Sequence, residues 1–390
     1  MHPDDDGKTL RRFRILVVPL DWGLGHATRC IPIIKELMSN HCEVWLAGER
    51  AQERLLRLEF PELTFLQLKG YRVKYSKSKA GLLWKVLGQL PKIRGAIRSE
   101  RRWLHALLSC HRIDAVISDN RYGLYHTNIP SYFITHQLAI KSGLGESADK
   151  LLQRWIYKFI NRFTECWVPD IIGDQNFAGD LSHPKLRPLT TLKYVGLLSR
   201  FPVDTASSFR LPASNENNNH LLFILSGPEP QRSILENKIL RDIPHYPYTA
   251  TVVRGLPGSN AVTPTHPNVK FYNHLPALEL SDEMAKAQWV ISRSGYSTVM
   301  DVIAMGKKSI LIPTPGQPEQ EYLARHLFKN RLAYTVDQRN FSIESALDEA
   351  ADFPYQIPES NAQTHLKHTM ADLVNNLRKS ADMYGKLLLE

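Results

Sequence analysis

The sequence predicts an α/β protein built from two doubly wound, parallel-sheet domains that face each other across a cleft. Three observations carry that prediction. Short apolar, β-branched runs alternate with amphipathic segments of helical length along most of the chain, the pattern of strand–helix–strand units. One polar stretch, Ser207 to Asn219 with its SNENNN tract, interrupts the alternation and reads as a linker. Glycine-bearing turns recur where a strand hands over to a helix, at the sheet edge where open α/β sheets bind ligands.

A chain of 390 residues, 43% of them hydrophobic, is long enough for two domains with separate cores. The expected division is a disordered tail at 1–12, an N-terminal Rossmann-like domain at 13–206, a linker at 207–219, a second domain at 220–360 and a terminal helix at 361–390. In the first domain, Arg14 to Leu20 reads as a buried strand and Ala27 to Met38 as the helix after it. Cys42 to Ala47, Leu63 to Leu68, Ala115 to Ser118 and Ser131 to Thr135 read as further strands, with a helix after Glu49. Trp167 to Asp170 closes another strand near the hinge. In the second domain the expected strands are Leu221 to Leu225, Thr249 to Val253, Val269 to Tyr272, Trp289 to Ser292 and Ser309 to Pro313. Helices are expected from Leu275, Ser297 and Glu319, and one long helix over Ala362 to Leu389.

Lys and Arg number 49 against 39 Asp and Glu, and the net charge of +10 favours anionic partners: nucleotides, phospholipid surfaces or nucleic acid. Much of the excess lies in Lys69 to Arg102, where basic residues, leucines and Trp84 surround a single acid, Glu100. That segment reads either as an amphipathic helix lying on an anionic leaflet or as a solvated basic face packed on the sheet by its leucines. No nucleic-acid-binding module is recognisable, so nucleic acid is the weakest partner. Cys30, Cys42, Cys110 and Cys166 lack metal-ligand spacing and are expected as reduced thiols. The start of the chain has no secretory pattern, and no apolar run nears the roughly 20 residues of a spanning helix. The expectation is a cytoplasmic protein with at most peripheral contact at the inner face of the membrane.

Three turns carry chemistry. The first is DWGLGHATR, Asp21 to Arg29, between the first strand and first helix. Gly23 and Gly25 let the backbone approach a ligand, and the helix start offers amides to an anion or oxyanion. His26 can take a proton from a hydroxyl or a water, with helix capping as its plain alternative. The spacing breaks the dinucleotide fingerprint, since Thr28 stands where its third glycine would be. An NAD-dependent oxidoreductase is therefore the least favoured enzyme.

The second turn is SRSGYSTVMD, where Ser294, Gly295, Ser297 and Thr298 suit a phosphate or ribose at a helix start, Arg293 adds charge and Asp301 can accept from ribose hydroxyls. Downstream, the loop from Pro313 presents Glu319 and Gln320, groups that read sugar hydroxyls. The third turn is SGPEPQR, in which Ser226 and Gly227 can hold a diphosphate with Arg232 or Arg254 beside it. Asn273 and His274 are candidates for contacting a base. In the first domain, His136 and Gln137 lie at the acceptor side, and Asp119 is a reserve general base. Asp4 to Asp6 spells a metal motif but sits in the tail and is set aside; no metal or other cofactor is expected.

Over Ser292 to Ala324, SRSGYSTVMDVIAMGKKSILIPTPGQPEQEYLA resembles the donor-site signature of GT-B glycosyltransferases with a family 28 type C-terminal domain. That family includes the lipid-linked peptidoglycan N-acetylglucosaminyltransferase. GLGHATR is similar both to that family's glycine loop and to a related nucleotide-sugar hydrolase. The resemblance implies that Asp301, where the family has glutamate, holds the ribose, that Glu319 and Gln320 hold the donor sugar, and that His26 lies in the catalytic cleft. It implies inverting, metal-independent transfer from a nucleotide sugar, with UDP the expected carrier, to a hydroxyl on a lipid-linked or glycan acceptor of the cell envelope. The alternatives are the hydrolase, in which water replaces the acceptor, an epimerase on the same fold, and a non-catalytic nucleotide-sugar-binding subunit.

Overall fold

The computed structural model describes residues 12–21, 23–71, 82–141, 145–173, 175–201, 219–247, 249–358 and 363–387. Residues 1–11 of the expected tail, nearly all of the linker, Trp22, and Arg72, Lys74, Lys77 and Lys79 of the basic segment lie outside these residues, as do the side chains of 82–90, including Trp84 and Lys85.

The first sheet has seven parallel strands in the order β3-β2-β1-β4-β5-β6-β7. They are β1 Arg14–Val18, β2 Glu43–Gly48, β3 Thr64–Gln67, β4 Ala115–Asp119, β5 Ser131–Ile134, β6 Glu165–Val168 and β7 Thr191–Tyr194. Helices α1 Gly25–Ser39, α2 Arg50–Glu59, α3 Leu82–Cys110 and α4 Glu146–Ile160 connect or flank them. The central strands β1, β4 and β5 are buried almost throughout, as continuous apolar runs in a doubly covered parallel sheet should be. Strand order reverses between β1 and β4, so the crevice at their carboxyl ends is the ligand position of an open sheet.

The second sheet has six parallel strands in the order β10-β9-β8-β11-β12-β13. They are β8 Leu221–Ile224, β9 Ala250–Val253, β10 Val269–Tyr272, β11 Trp289–Ser292, β12 Ser309–Leu311 and β13 Tyr334–Thr335. Its helices are α5 Gln231–Asp242, α6 Ala277–Lys286, α7 Tyr296–Ala304, α8 Pro318–Lys329 and α9 Ile343–Ala351, followed by the terminal α10 Gln363–Leu387. Here the order reverses between β8 and β11, which puts the turns after Ile224 and Ser292 at that sheet's own crevice.

One apolar cluster joins the two halves. Ile31 and Ile34 of α1, Val299 and Ile303 of α7, and Leu366 and Met370 of α10 belong to the same buried core. The last helix thus returns from the second domain to pack on the first, and α1 is covered by both. Burial at this junction sets how the crevices face each other.

α3 divides the two readings of the basic segment between its faces. Ile97 and Leu104 are buried, while Lys92, Arg94, Arg98, Arg101 and Arg102 are exposed. Glu100 anchors the helix: its Oε2 accepts from Tyr71 Oη at 2.8 Å and from the Gly123 amide at 2.9 Å, and Oε1 lies 3.4 Å from Arg121 Nη1. Residue 123 must be glycine, because a Cβ there would stand 2.3 Å from the Ile97 carbonyl oxygen. Burial pushes the Glu100 carboxyl up to about 7 against the opposing charge of Arg121. A carboxyl raised in the folded state stabilises the fold fully below its unfolded value of about 4.3, and that contribution declines as pH rises towards the folded value. Glu100→Gln is therefore expected to flatten the fall in stability between about pH 4.3 and pH 7. Urea unfolding across that range checks it, and an unchanged slope would count against the assignment.

Candidate active site

The turn after β1 sits at the crevice of the first sheet. Gly23 adopts φ +77, in the left-handed region that glycine tolerates, and α1 starts two residues later with no side-chain cap. His26 and Arg29 are three residues apart on α1 and so share a face, which meets Asp119 at the end of β4. His26 Nδ1 lies 3.1 Å from Asp119 Oδ2 and 2.7 Å from Arg29 Nη2. Arg29 Nε donates to Asp119 Oδ2 at 2.8 Å, and its Nη2 donates to Oδ1. His26 Nε2 makes no hydrogen bond among the described residues, and the side chain keeps 15% exposure.

Asp119 is fully buried and both its oxygens are engaged, so it stands behind His26 rather than facing an acceptor. Burial opposes its charge, yet Arg29 and His26 hold the carboxyl below its usual range. For His26, burial comes first and the Arg29 charge second in pushing the imidazole below its ordinary value, against the pull of Asp119. The ring is thus neutral at pH 7 and available as a base.

The network continues across the cleft. Arg29 Nη1 is 3.0 Å from His136 Nδ1, and His136 Nε2 is 2.8 Å from Glu319 Oε1 at the start of α8. The His136 ring also stacks on Tyr296, centroids 4.4 Å apart, and Tyr296 Oη donates to the Pro169 carbonyl at 2.7 Å. His136 and Glu319 were expected on opposite sides, as acceptor and donor groups; the fold brings them into contact. Burial opposes the Glu319 charge, but the hydrogen bond from His136 and the nearby Arg29 guanidinium hold its carboxyl below the usual range. Gln137 is half-buried beside them, its amide donating to Thr135 Oγ1 at 3.0 Å.

Four helix starts gather around this cluster. Ser297 Oγ of α7 donates to the Gly25 carbonyl of α1 at 2.9 Å. Ser294 Oγ donates to the Gln320 carbonyl of α8 at 2.9 Å, and Arg293 Nη2 to the Gln231 carbonyl of α5 at 2.7 Å. The N-cap residues of these four helices supply no side-chain bond, which leaves the first amides of α1, α7 and α8 for another partner. At α5, by contrast, the Ser233 amide already donates to Glu229 Oε2 at 3.3 Å, and those of Arg232 and Ile234 to the Pro228 and Pro230 carbonyls. Beside them, Gly227 adopts φ +103, and the buried Thr314 Oγ1, 3.7 Å from where a Cβ on residue 227 would lie, has no hydrogen-bond partner. Ser226 and Gly295 are half-buried at the same edge, and Thr298 makes no side-chain hydrogen bond among the described residues. The Gly25 contact is tight: a Cβ there would stand 2.9 Å from Ser297 Oγ. Gly25→Ala is expected to cost about 1–3 kcal/mol of stability through overpacking. Adding Ser297→Ala should restore most of it, which urea unfolding of the single and double variants checks.

Other expected donor residues are engaged elsewhere. Asp301 Oδ1 accepts from Ser199 Oγ at 2.9 Å and the Arg200 amide at 3.0 Å, and Oδ2 from Arg200 Nε at 2.8 Å and Nη2 at 2.7 Å. No acceptor is left for ribose hydroxyls in this arrangement. Arg293 is fully buried and braces Ile312, Pro313, Gln231 and Gln338, and burial pushes its guanidinium down to about 10. Arg232 and Arg254 converge on Glu236, with Arg232 also on Glu229. Asn273 accepts from Arg254 and donates to the Ser259 and Ala261 carbonyls, so it holds its own loop. His274 is half-buried, and burial followed by the Arg200 charge depresses its imidazole. Gln320 caps the Thr314 amide at 2.9 Å and donates to Gln317. The role of Arg29 was not anticipated; its place three residues after His26 was the available signal.

Two parallel-sheet α/β domains with facing crevices define the GT-B class of glycosyltransferases, and solved structures agree in fold. The glycosyltransferase SnogD from Streptomyces nogalater superposes with TM-score 0.57 at 14% identity, covering 94% of this chain and all of that one. MurG from Acinetobacter baumannii does so at 0.50 and 14%, covering 93% and 100%. Residues 235–377 match the glycosyltransferase family 28 C-terminal domain. Among curated relatives, the UDP-N-acetylglucosamine--N-acetylmuramyl-(pentapeptide) pyrophosphoryl-undecaprenol N-acetylglucosamine transferase of Haemophilus ducreyi is 23% identical over 340 residues, 83% of this chain and 85% of its own length. The enzyme of that name from Rhodopseudomonas palustris is 39% identical over 83 residues, and the match spans only 21% of each chain.

Proposed function

We propose that this protein transfers a sugar from a nucleotide diphosphate donor, with UDP as the carrier, to a hydroxyl of a lipid-linked or glycan acceptor. The observation that carries the reading is the joining of the His26–Asp119 pair to the starts of α7 and α8 across the cleft. His26 Nδ1 faces both the Asp119 carboxylate and the Arg29 guanidinium; in the tautomer that donates from Nδ1 to Asp119, Nε2 takes the proton of the acceptor hydroxyl as its oxygen attacks the anomeric carbon. The bond from that carbon to the β-phosphate oxygen breaks, and the leaving diphosphate meets the free amides of the α7 and α8 starts, with no metal required. Glu319, half-exposed and ionised, offers its second oxygen to a donor-sugar hydroxyl. Arg293, Arg232 and Arg254 brace these loops instead of meeting the phosphates. The exposed basic face of α3 is the surface for an anionic membrane, where a lipid-linked acceptor resides.

The test is mass spectrometry of the protein with a panel of nucleotide sugars, each with and without a membrane extract. Release of nucleoside diphosphate only with extract, together with a glycosylated product, is the expected result. Release without extract would replace transfer by hydrolysis. Binding without turnover in either case would leave a non-catalytic subunit.

A further inference from the structure

We infer that His136 is a positioning residue that couples the donor-sugar carboxylate of one domain to the base of the other. The inference rests on the proposed transfer reaction for its meaning and on the hydrogen-bond chain for its geometry.

That chain is continuous and largely buried: Asp119, Arg29, His136, Glu319. Its donors and acceptors follow from chemistry alone. A guanidinium only donates, and His136 Nδ1, 3.0 Å from Arg29 Nη1, meets no other partner among the described residues, so it is the acceptor. The ring proton then sits on Nε2 and is donated to Glu319 Oε1 at 2.8 Å. Stacking on Tyr296 holds the ring plane, and Tyr296 is itself held by the Pro169 carbonyl. His136 therefore orients two groups at once. Through Nε2 it fixes the Glu319 carboxylate with the other oxygen turned to the donor sugar. Through Nδ1 it holds the Arg29 fork, which grips Asp119 and reaches His26. The charged and titratable groups facing it are Arg29 and His26 from α1, Asp119 from β4, Tyr296 from α7 and Glu319 from α8. A sugar seated on Glu319 is thereby registered at the base before the acceptor is deprotonated, and a misplaced donor leaves the base misaligned.

Two substitutions separate the arms. His136→Asn places an amide oxygen near the Nδ1 position, keeping the acceptor for Arg29 and losing the donor to Glu319. His136→Gln places an amide NH₂ near the Nε2 position, keeping the donor to Glu319 and losing the acceptor. The probes are UDP and UDP-N-acetylglucosamine binding by calorimetry, and titration of the His26 ring by NMR, its signal assigned by absence in His26→Ala. In His136→Asn the preference for UDP-N-acetylglucosamine over UDP should fall about tenfold, equivalent to about 1.4 kcal/mol, with the His26 titration unmoved. In His136→Gln that preference should hold, while the His26 pKa rises towards its ordinary value as Arg29 loosens. Both readouts moving together in both variants would mean a merely structural ring and would overturn the inference, as would neither moving. If the parent chain binds neither UDP nor the sugar nucleotide, the proposed function falls. The inference is then decided by the His26 titration alone, and an unmoved His136→Gln titration overturns it.

Discussion

His26→Ala is expected to lower nucleoside diphosphate release by about 10²–10⁴-fold, the usual share of a general base. Unfolding midpoint and circular dichroism should stay near those of the parent. The ring is placed for this loss. In the Nδ1–H tautomer Asp119 accepts from the ring at 3.1 Å, and Nε2 has no protein partner among the described residues. Burial and the Arg29 charge push the imidazole below its ordinary value and so keep it neutral at pH 7. The sign of the pH dependence follows: a base must be unprotonated, so activity persists through neutral pH and falls only below about 6.5, the ordinary histidine value. A rate profile with its acid limb above that value would contradict the assignment. Asp119→Asn, which keeps the shape but removes the charge behind the ring, should lose most of the rate and, because it also unpairs the buried Arg29, part of the stability.

Asp119→Ala is expected to do something different, lowering stability by about 3–5 kcal/mol, the cost of a buried charge left alone. Arg29 is 2% exposed and its Nε and Nη2 both donate to Asp119. Burial opposes its charge, and Asp119 more than compensates. With Asp119 gone, the guanidinium has two histidine nitrogens near it and the more distant Glu319 for charge. Replacing both members together, as Arg29→Met with Asp119→Leu, should recover much of the loss because no charge is then stranded. Urea midpoints of the two single and the double variant decide it, and additive losses would show that the pair is not coupled.

The parts of the fold legible in the sequence were those with a strong local signal. β10 and β11 fall where the apolar runs placed them, and α10 within one or two residues of the helical pattern. β7, TLKY, and the two-residue β13 were missed because edge strands need no continuous apolar run. α4 and α5 were missed as well; α5 begins behind the proline-rich turn that dominated the local reading. In the site, glycine turns at carboxyl ends of strands singled out the loops, since that rule depends only on chain order. Side-chain roles were less legible. Nothing local says that Arg200 will cover Asp301, that Glu236 will gather Arg232 and Arg254, or that His136 will reach Glu319 across 183 positions of sequence. Those outcomes belong to tertiary packing, where buried polar groups find partners wherever the fold offers them.

Hydrogen exchange with and without UDP-N-acetylglucosamine tests the cleft assignment most directly. Protection is predicted in the amides of the α1, α5, α7 and α8 starts, spanning 25–29, 231–234, 296–299 and 318–321, together with the loop at 226–230. Protection confined to other surfaces, with these segments unchanged at saturating ligand, would contradict a donor site between the two sheets.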